Sequence, residues 1–449
     1  SPDSAMAAAL FGLGRAQDAT VGRREPGMVF DSISRAFDIY AEMNDIAGAV
    51  DVAEFSQVMP STKSSLELIS RALQLVTPDS DEAGRLLSRY VLVTGMQGNY
   101  EGAVEAFDAA MAIAQKTGDS ALEMRTLAYR SRIDFWHLQM EGAVARGLGA
   151  IELARRAEDR TSEVSARFWV GEALLDIGDS MGAERHAEAI LAASESLRGH
   201  YYQATALWFN ERVSIYRGDW KVAREYNQRG LLMSPSDSRL LSTRMLLEHE
   251  TGNEVEGIGY FNELIEALET LSPGYSHAST ALMIPAVARI TGALDHLHVA
   301  ESAAAAALSG EFATPLISRI AETGLALMAV LQGDVVAARE QYTNLGAATG
   351  TMVAVACDRI LGLLAQAMGS SDLAARHFED SLVFCRNARY RPELAWTLCD
   401  YADTLLERDA EGDRTMAVSL LDESLAISSE LGMPPLVERV QARLETLSA

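Results

Sequence analysis

Four side chains, Arg125, Tyr129, Arg132 and Trp136, follow one another at intervals of four, three and four residues. On an α-helix that spacing gathers them on one face. Taking Ala143, Ala183 and Ala223 as a common register repeats this face every 40 residues. Arg125, Arg132 and Trp136 then correspond to Ser165, Glu172 and Asp176, and to Thr205, Arg212 and Tyr216. Tyr129, Trp169 and Phe209 are equivalent in the same way, and Trp208 adjoins Phe209. Arginine gives bidentate hydrogen bonds to a carboxylate, and rings give contact area at low entropic cost. The candidate lining is therefore Arg125, Tyr129, Arg132, Trp136, Trp169, Glu172, Trp208, Phe209, Arg212 and Tyr216. Its chemistry suits a carboxylate-bearing peptide or a small anion, and Arg85, Arg89 and Arg239 extend it on either side.

Two readings compete with this one. Rings at helical spacing commonly pack between helices. A second polar face also runs through the same segments: Glu123, Arg130, Asp134 and His137 in one, Gln203, Asn210, Ser214 and Arg217 in another. The sequence leaves open which face lines a groove, and the recurrence of arginine with aromatics favours the first. Catalytic signals are weak. His296 and His298 lie two apart and so point away from each other on a helix. No His-x-x-x-His pair and no Gly-x-Ser-x-Gly elbow occurs. No catalytic or metal-binding residue and no cofactor is assigned.

The elements that must carry such a face are clearest at Gln97–Gln115. A Gly98-Asn99 turn leads into a segment with Ala103, Phe107, Ala110 and Met111 on one side. Such a helix cannot bury its stripe alone and needs neighbours. The small-then-large pair Ala110-Met111 recurs as Ala36-Phe37, Ala72-Leu73 and Ala150-Ile151, with weaker matches to the end. Gly98, Gly178, Gly218, Gly252, Gly292, Gly333 and Gly369 mark turns in phase with it, several followed by Asn or Asp. Glycine closes one helix in a left-handed cap, and the Asn or Asp caps the next.

The reading is eleven helix pairs, near 2–45, 46–77, 79–117, 120–158, 160–197, 199–234, 236–272, 274–310, 314–349, 351–388 and 391–432, with a capping helix at 434–448. The first pair has a longer loop around Gly22–Gly27. Pro285 falls inside a helix and should kink it. The Ala303–Ala307 run requires close packing, and the eighth pair is expected to be the least regular. The whole of 1–449 forms one helical-repeat domain, since in a repeat array each unit packs on its neighbours and the core grows in one dimension.

Composition narrows the function. Hydrophobic residues make up 48% and charged residues 22%, enough for a folded core. The formal net charge is −25 and the only lysines are Lys63, Lys116 and Lys221. Such a surface repels phosphate backbones, which argues against direct nucleic-acid binding by this segment. Cys357, Cys385 and Cys399 are too few and too widely spaced for a disulfide framework. Reduced core cysteines fit a cytoplasmic protein. No 18-residue apolar run suggests a membrane span.

The repeat resembles the tetratricopeptide family. Gln97-Gly98-Asn99-Tyr100 with Ala103, Phe107 and Ala110 is similar to its signature, as are Gln332-Gly333-Asp334 with Ala338 and Tyr342, and Gly369 with Ala374 and Phe378. Gly171 stands where that family often has its first-helix glycine. The resemblance covers about nine-tenths of the chain, with a period near 40 rather than about 34. The longer period, and the ending Leu420–Gly432, are similar to the sensor arm of MalT-like, LuxR-type signal-transduction ATPase regulators of bacteria. No Walker-type phosphate loop is present, because no lysine follows a glycine. The resemblance implies an all-α, α-α superhelix whose first helices line a concave groove. It implies a non-catalytic sensor or interaction region that takes a protein, peptide or small anionic effector there, without membrane contact and open to homo-oligomerisation. The alternatives are an assembly scaffold with no small effector and, more remotely, an enzyme on a helical scaffold.

Overall fold

A computed structural model describes residues 2–20, 26–55, 62–195, 197, 200–312, 314–346 and 348–448. Residues 22–25 of the loop expected around Gly22–Gly27 lie outside the described residues. Among the described residues the chain is all-α apart from one short hairpin. In order, the helices are α1 (Pro2–Thr20), α2 (Pro26–Glu42), α3 (Ile46–Glu54), α4 (Thr62–Leu73), α5 (Asp81–Met96), α6 (Tyr100–Thr117), α7 (Ser120–Trp136) and α8 (Met140–Arg156). There follow α9 (Arg160–Asp176), α10 (Ser180–Ser194), α11 (His200–Arg217), α12 (Trp220–Met233), α13 (Ser238–Glu250), α14 (Glu254–Leu268), α15 (Tyr275–Thr291) and α16 (Leu297–Ser309). Then come α17 (Pro315–Gln332), α18 (Val335–Leu345), α19 (Cys357–Ala367), α20 (Ser371–Ala388), α21 (Arg391–Arg408), α22 (Asp413–Leu431) and α23 (Pro434–Ser448).

The turns form as their chemistry dictates. Gly98 takes φ +86°, and Asn99 Oδ1 accepts from the Gly102 amide at 2.9 Å. Gly178 and Asp179 repeat the device, with Asp179 Oδ1 accepting from Gly182 at 2.8 Å. Each pair of residues ends one helix and satisfies an orphan amide of the next.

The tenth pair departs from expectation. Residues Thr351–Met352 (β1) and Val355–Ala356 (β2) form an antiparallel hairpin before α19 starts at Cys357. In the eighth pair, α15 runs through the buried Pro285. The alanine run of α16 packs closely, with Ala303, Ala304 and Ala307 buried.

The chain divides into two compact units. The first is Ser1–Val170 with Ser196–Gly199 and Glu311–Leu316; the second is Gly171–Glu195, His200–Gly310 and Ile317–Ala449. In the first unit, Phe37, Val50, Ile69 and Leu86 join α2, α3, α4 and α5 in one core. In the second, Ile284, Ala288, Leu297, Ala300 and Met328 join α15, α16 and α17. Packing in the second unit is not confined to sequence neighbours: α11 lies on α21, and α13 and α15 lie on α23. Cys357, Cys385 and Cys399 are free and buried.

Candidate recognition site

In the first unit the two faces of α7 have different environments. Arg130 Nε donates to Asp134 Oδ1 at 2.7 Å, the Tyr100 hydroxyl donates to the same oxygen at 2.9 Å, and Arg146 reaches Asp134 Oδ2 at 2.5 Å. The Arg130 guanidinium lies 4.8 Å from the Tyr100 ring and 5.4 Å from Phe107. His137 Nε2 meets the Gly95 carbonyl at 2.8 Å, and burial lowers the His137 pKa. This face of α7 is thus taken up in binding α5, α6 and α8.

The other face carries Arg125, Tyr129, Arg132 and Trp136. Arg125, Tyr129 and Arg132 are half-buried, and Trp136 is buried. The Arg132 guanidinium sits 5.1 Å from the centroid of Trp169, on α9. Trp169 in turn lies 5.9 Å from Trp136 and 5.5 Å from Phe135. Toward the chain start, Glu54 pairs with Arg85 at 3.1 Å and lies 3.9 Å from Arg125. Burial raises the Glu54 pKa despite these two arginines. The structure therefore brings Arg132, Trp136 and Trp169 together, and sets Arg125 beside an acidic residue that the 40-residue register does not point to.

The remaining candidates belong to the second unit and are buried. Phe209 is fully enclosed, and a Cβ on Gly171 would collide with its ring. The guanidinium groups of Arg212 and Arg239 lie 5.2 and 4.9 Å from the Trp208 ring. Arg212 pairs with Glu172, lies 3.9 Å from Asp176, and donates to the Val353 carbonyl at 3.0 Å. The Tyr216 hydroxyl also donates to Val353 O, and the Thr351 hydroxyl donates to Asp176 at 3.3 Å. Burial pushes the Asp176 carboxyl up to about 8 and the Tyr216 phenol to about 12. Glu172 and Arg212 thus make a structural ion pair that holds the β1–β2 turn.

A second buried polar cluster lies outside the candidate residues, and only its Arg359 pairs, 34 and 41 residues apart, follow the repeat spacing. Arg359 pairs with Glu393 and Asp400 at 2.8 Å each, and Arg289 reaches the same Asp400. Burial alone would raise the Asp400 pKa, but Arg289 and Arg359 outweigh it and hold the pKa below its ordinary value. The Trp396 indole donates to Glu250 at 3.0 Å, and burial lifts Glu250 to about 7. Partners 111 to 146 residues apart leave no local signal. A cavity of about 450 Å³ in the second unit is bordered by Tyr216 but not by Arg212.

No family model matches the chain, and no curated protein matches it. Among solved structures, the chain is similar to the APC/C hetero-tetramer Cut9–Hcn1 at 14% identity, over 98% of this chain and 83% of that one, with a TM-score of 0.53. It is also similar to a Rap protein complexed with Competence and Sporulation Factor at 13% identity, over 89% of this chain and 99% of that one, with a TM-score of 0.47. Yeast Tom70 gives 14% identity over 98% and 96%, with a TM-score of 0.34. The Cut9–Hcn1 likeness supports the fold class expected from the repeat, an all-α tetratricopeptide-like solenoid.

Proposed function

We propose that this chain is a non-catalytic recognition solenoid that takes a protein, peptide or small anionic effector on the Arg125–Tyr129–Arg132–Trp136 face of α7 and on Trp169 of α9. The observation that carries this is the Arg132 guanidinium lying 5.1 Å over the Trp169 ring. A guanidinium stacked on an indole is pre-oriented, so it loses less freedom when a carboxylate docks. The partly exposed Arg125 and Tyr129 continue the same lining. Under this reading the array is the sensor or interaction region of a bacterial transcriptional or signalling regulator, acting in the cytoplasm, and a bound partner shifts the array between conformations. The regulator context rests on the longer repeat period and on the Leu420–Gly432 ending.

Selection of random dodecapeptides displayed on phage tests the reading. It expects enrichment of sequences rich in Asp or Glu. Arg132→Ala and Trp169→Ala should each abolish the enrichment, and unaltered enrichment on both variants contradicts it.

Assembly scaffolding is the second reading, favoured by one observation. Second helices of several pairs expose large apolar side chains: Leu232 on α12, Val255 on α14 and Val336 on α18, each about four-fifths exposed. Single exposed apolar residues are ordinary, so this reading requires a partner that spans several pairs. Capture of such a partner by wild type, lost in Leu232→Glu or Val255→Glu but kept in Arg132→Ala, would favour it.

A further inference from the structure

Where the last turn of α11 meets the join of α20 and α21, the second unit holds a cavity of about 450 Å³. That is within the range small ligands use, about 300–1,000 Å³. Leu175, Val213 and Leu431 give it apolar walls, and Met181 stands at its side. Three arginines, Arg217, Arg389 and Arg391, line the same space, with two acidic residues, Glu184 and Asp219.

The three arginines differ in what neutralises them. Arg217 pairs with Glu184, and Arg391 makes two bonds to Glu430 at 3.0 and 2.6 Å. Both pairs are largely exposed, so they are weak and screened, and their guanidinium groups can be re-engaged. Arg389 is exposed and, among the described residues, no carboxylate pairs with it. It closes α20 at φ +58°, in the left-handed region that glycine takes at Gly178, Gly218 and Gly432. A side chain there costs backbone strain that glycine would avoid. Leu138, Glu158 and Asp409 take the same conformation at other helix ends; what sets Arg389 apart at the cavity is that, among the described residues, no carboxylate forms an ion pair with it.

The walls are fixed before any ligand arrives. The Tyr216 ring lies 4.2 Å from that of Tyr390, whose hydroxyl donates to the Leu175 carbonyl. Trp220 Nε1 donates to the Leu431 carbonyl at 2.8 Å. A Cβ on Gly218 would come within 2.7 Å of Leu431 Cδ2, so the two sides are in close contact.

We propose that this cavity binds an organic anion, a carboxylate on a compact apolar body. Arg389 takes the carboxylate in a bidentate fork, Arg217 and Arg391 turn to it from their exposed glutamates, and the apolar body lies against Leu175, Val213 and Leu431. The site is separate from the α7–α9 face and stands or fails independently of it.

The test uses the whole chain and 8-anilinonaphthalene-1-sulfonate, an apolar fluorescent anion. The expected result is one saturable site, weakened at least tenfold by Arg389→Gly, which relieves the backbone and removes the guanidinium with its stem, and equally by Arg389→Gln, which keeps a stem and removes the charge. Arg132→Ala should leave it unchanged. N-acetyl-leucine should displace the probe, and its uncharged amide should not. A free hexapeptide acid that displaces the probe at least tenfold better than N-acetyl-leucine identifies a chain terminus as the natural ligand, while equal displacement identifies a free organic acid. Equal probe affinity in wild type and Arg389→Gly, or equal displacement by acid and amide, overturns the proposal.

Discussion

The guanidinium of Arg212 on α11 reaches the carbonyl of Val353 at 3.0 Å, 141 residues further along the chain, while it also pairs with the buried Glu172. One side chain thus ties a first helix to the hairpin that interrupts the tenth pair. Removing it leaves a carboxylate buried without its partner. Breaking a buried pair costs about 3–5 kcal/mol, whereas replacing both members by neutral groups of similar volume is often close to neutral. Arg212→Ala should therefore lower the urea midpoint sharply, and Glu172→Gln with Arg212→Met should recover much of the loss. A single variant as stable as wild type would refute the structural role of the pair.

Buried carboxyls held above their ordinary range, Asp176 and Glu250 among them, set a pH dependence. Burial raises Asp176 to about 8 and Glu250 to about 7, well above the carboxylate range of an unfolded chain near 4. Between those limits the folded state holds protons that the unfolded state has released, so stability falls as pH rises. Their contribution is greatest below about pH 4 and is lost as pH passes through about 7 and 8. Thermal scans should show a lower Tm at pH 9 than at pH 6. Asp176→Asn, which has no proton to lose, should flatten that slope; an equal slope in both proteins would contradict the assignment.

Glycines separate a packing requirement from a conformational cost. A Cβ on Gly324 would fall on the Ala281 carbonyl, where α17 passes α15, and that backbone cannot give way as a flexible side chain would. Gly324→Ala should destabilise the protein by about 1–3 kcal/mol, the usual cost of overpacking. Gly12 lies on an exposed part of α1 with nothing within 4 Å. Gly12→Ala should stabilise that helix by about 0.5–1 kcal/mol. Opposite signs in urea denaturation are the expected outcome.

The helix pairs were legible because their ruler is local: one small-then-large pair and one Gly-Asn or Gly-Asp turn about every 40 residues. The β1–β2 hairpin was not, since strands of two residues carry no period. Which face of α7 its neighbours take up was not legible either. Arg130 and Asp134 look like groove residues until Tyr100 and Arg146 arrive from neighbouring helices to bind them. The 40-residue register relates Glu172 to Arg212, but not to Val353, whose carbonyl Arg212 also binds. Arg389 did leave a trace in the sequence, an arginine at a helix end where the array otherwise tends to use glycine.

Calorimetric titration of a selected acidic peptide against wild type and Arg132→Ala tests recognition on the α7–α9 face most directly. The loss of a charged hydrogen bond should weaken binding by about 1–3 kcal/mol, a rise in Kd of roughly 5- to 150-fold. The same Kd for both proteins would contradict recognition by this face.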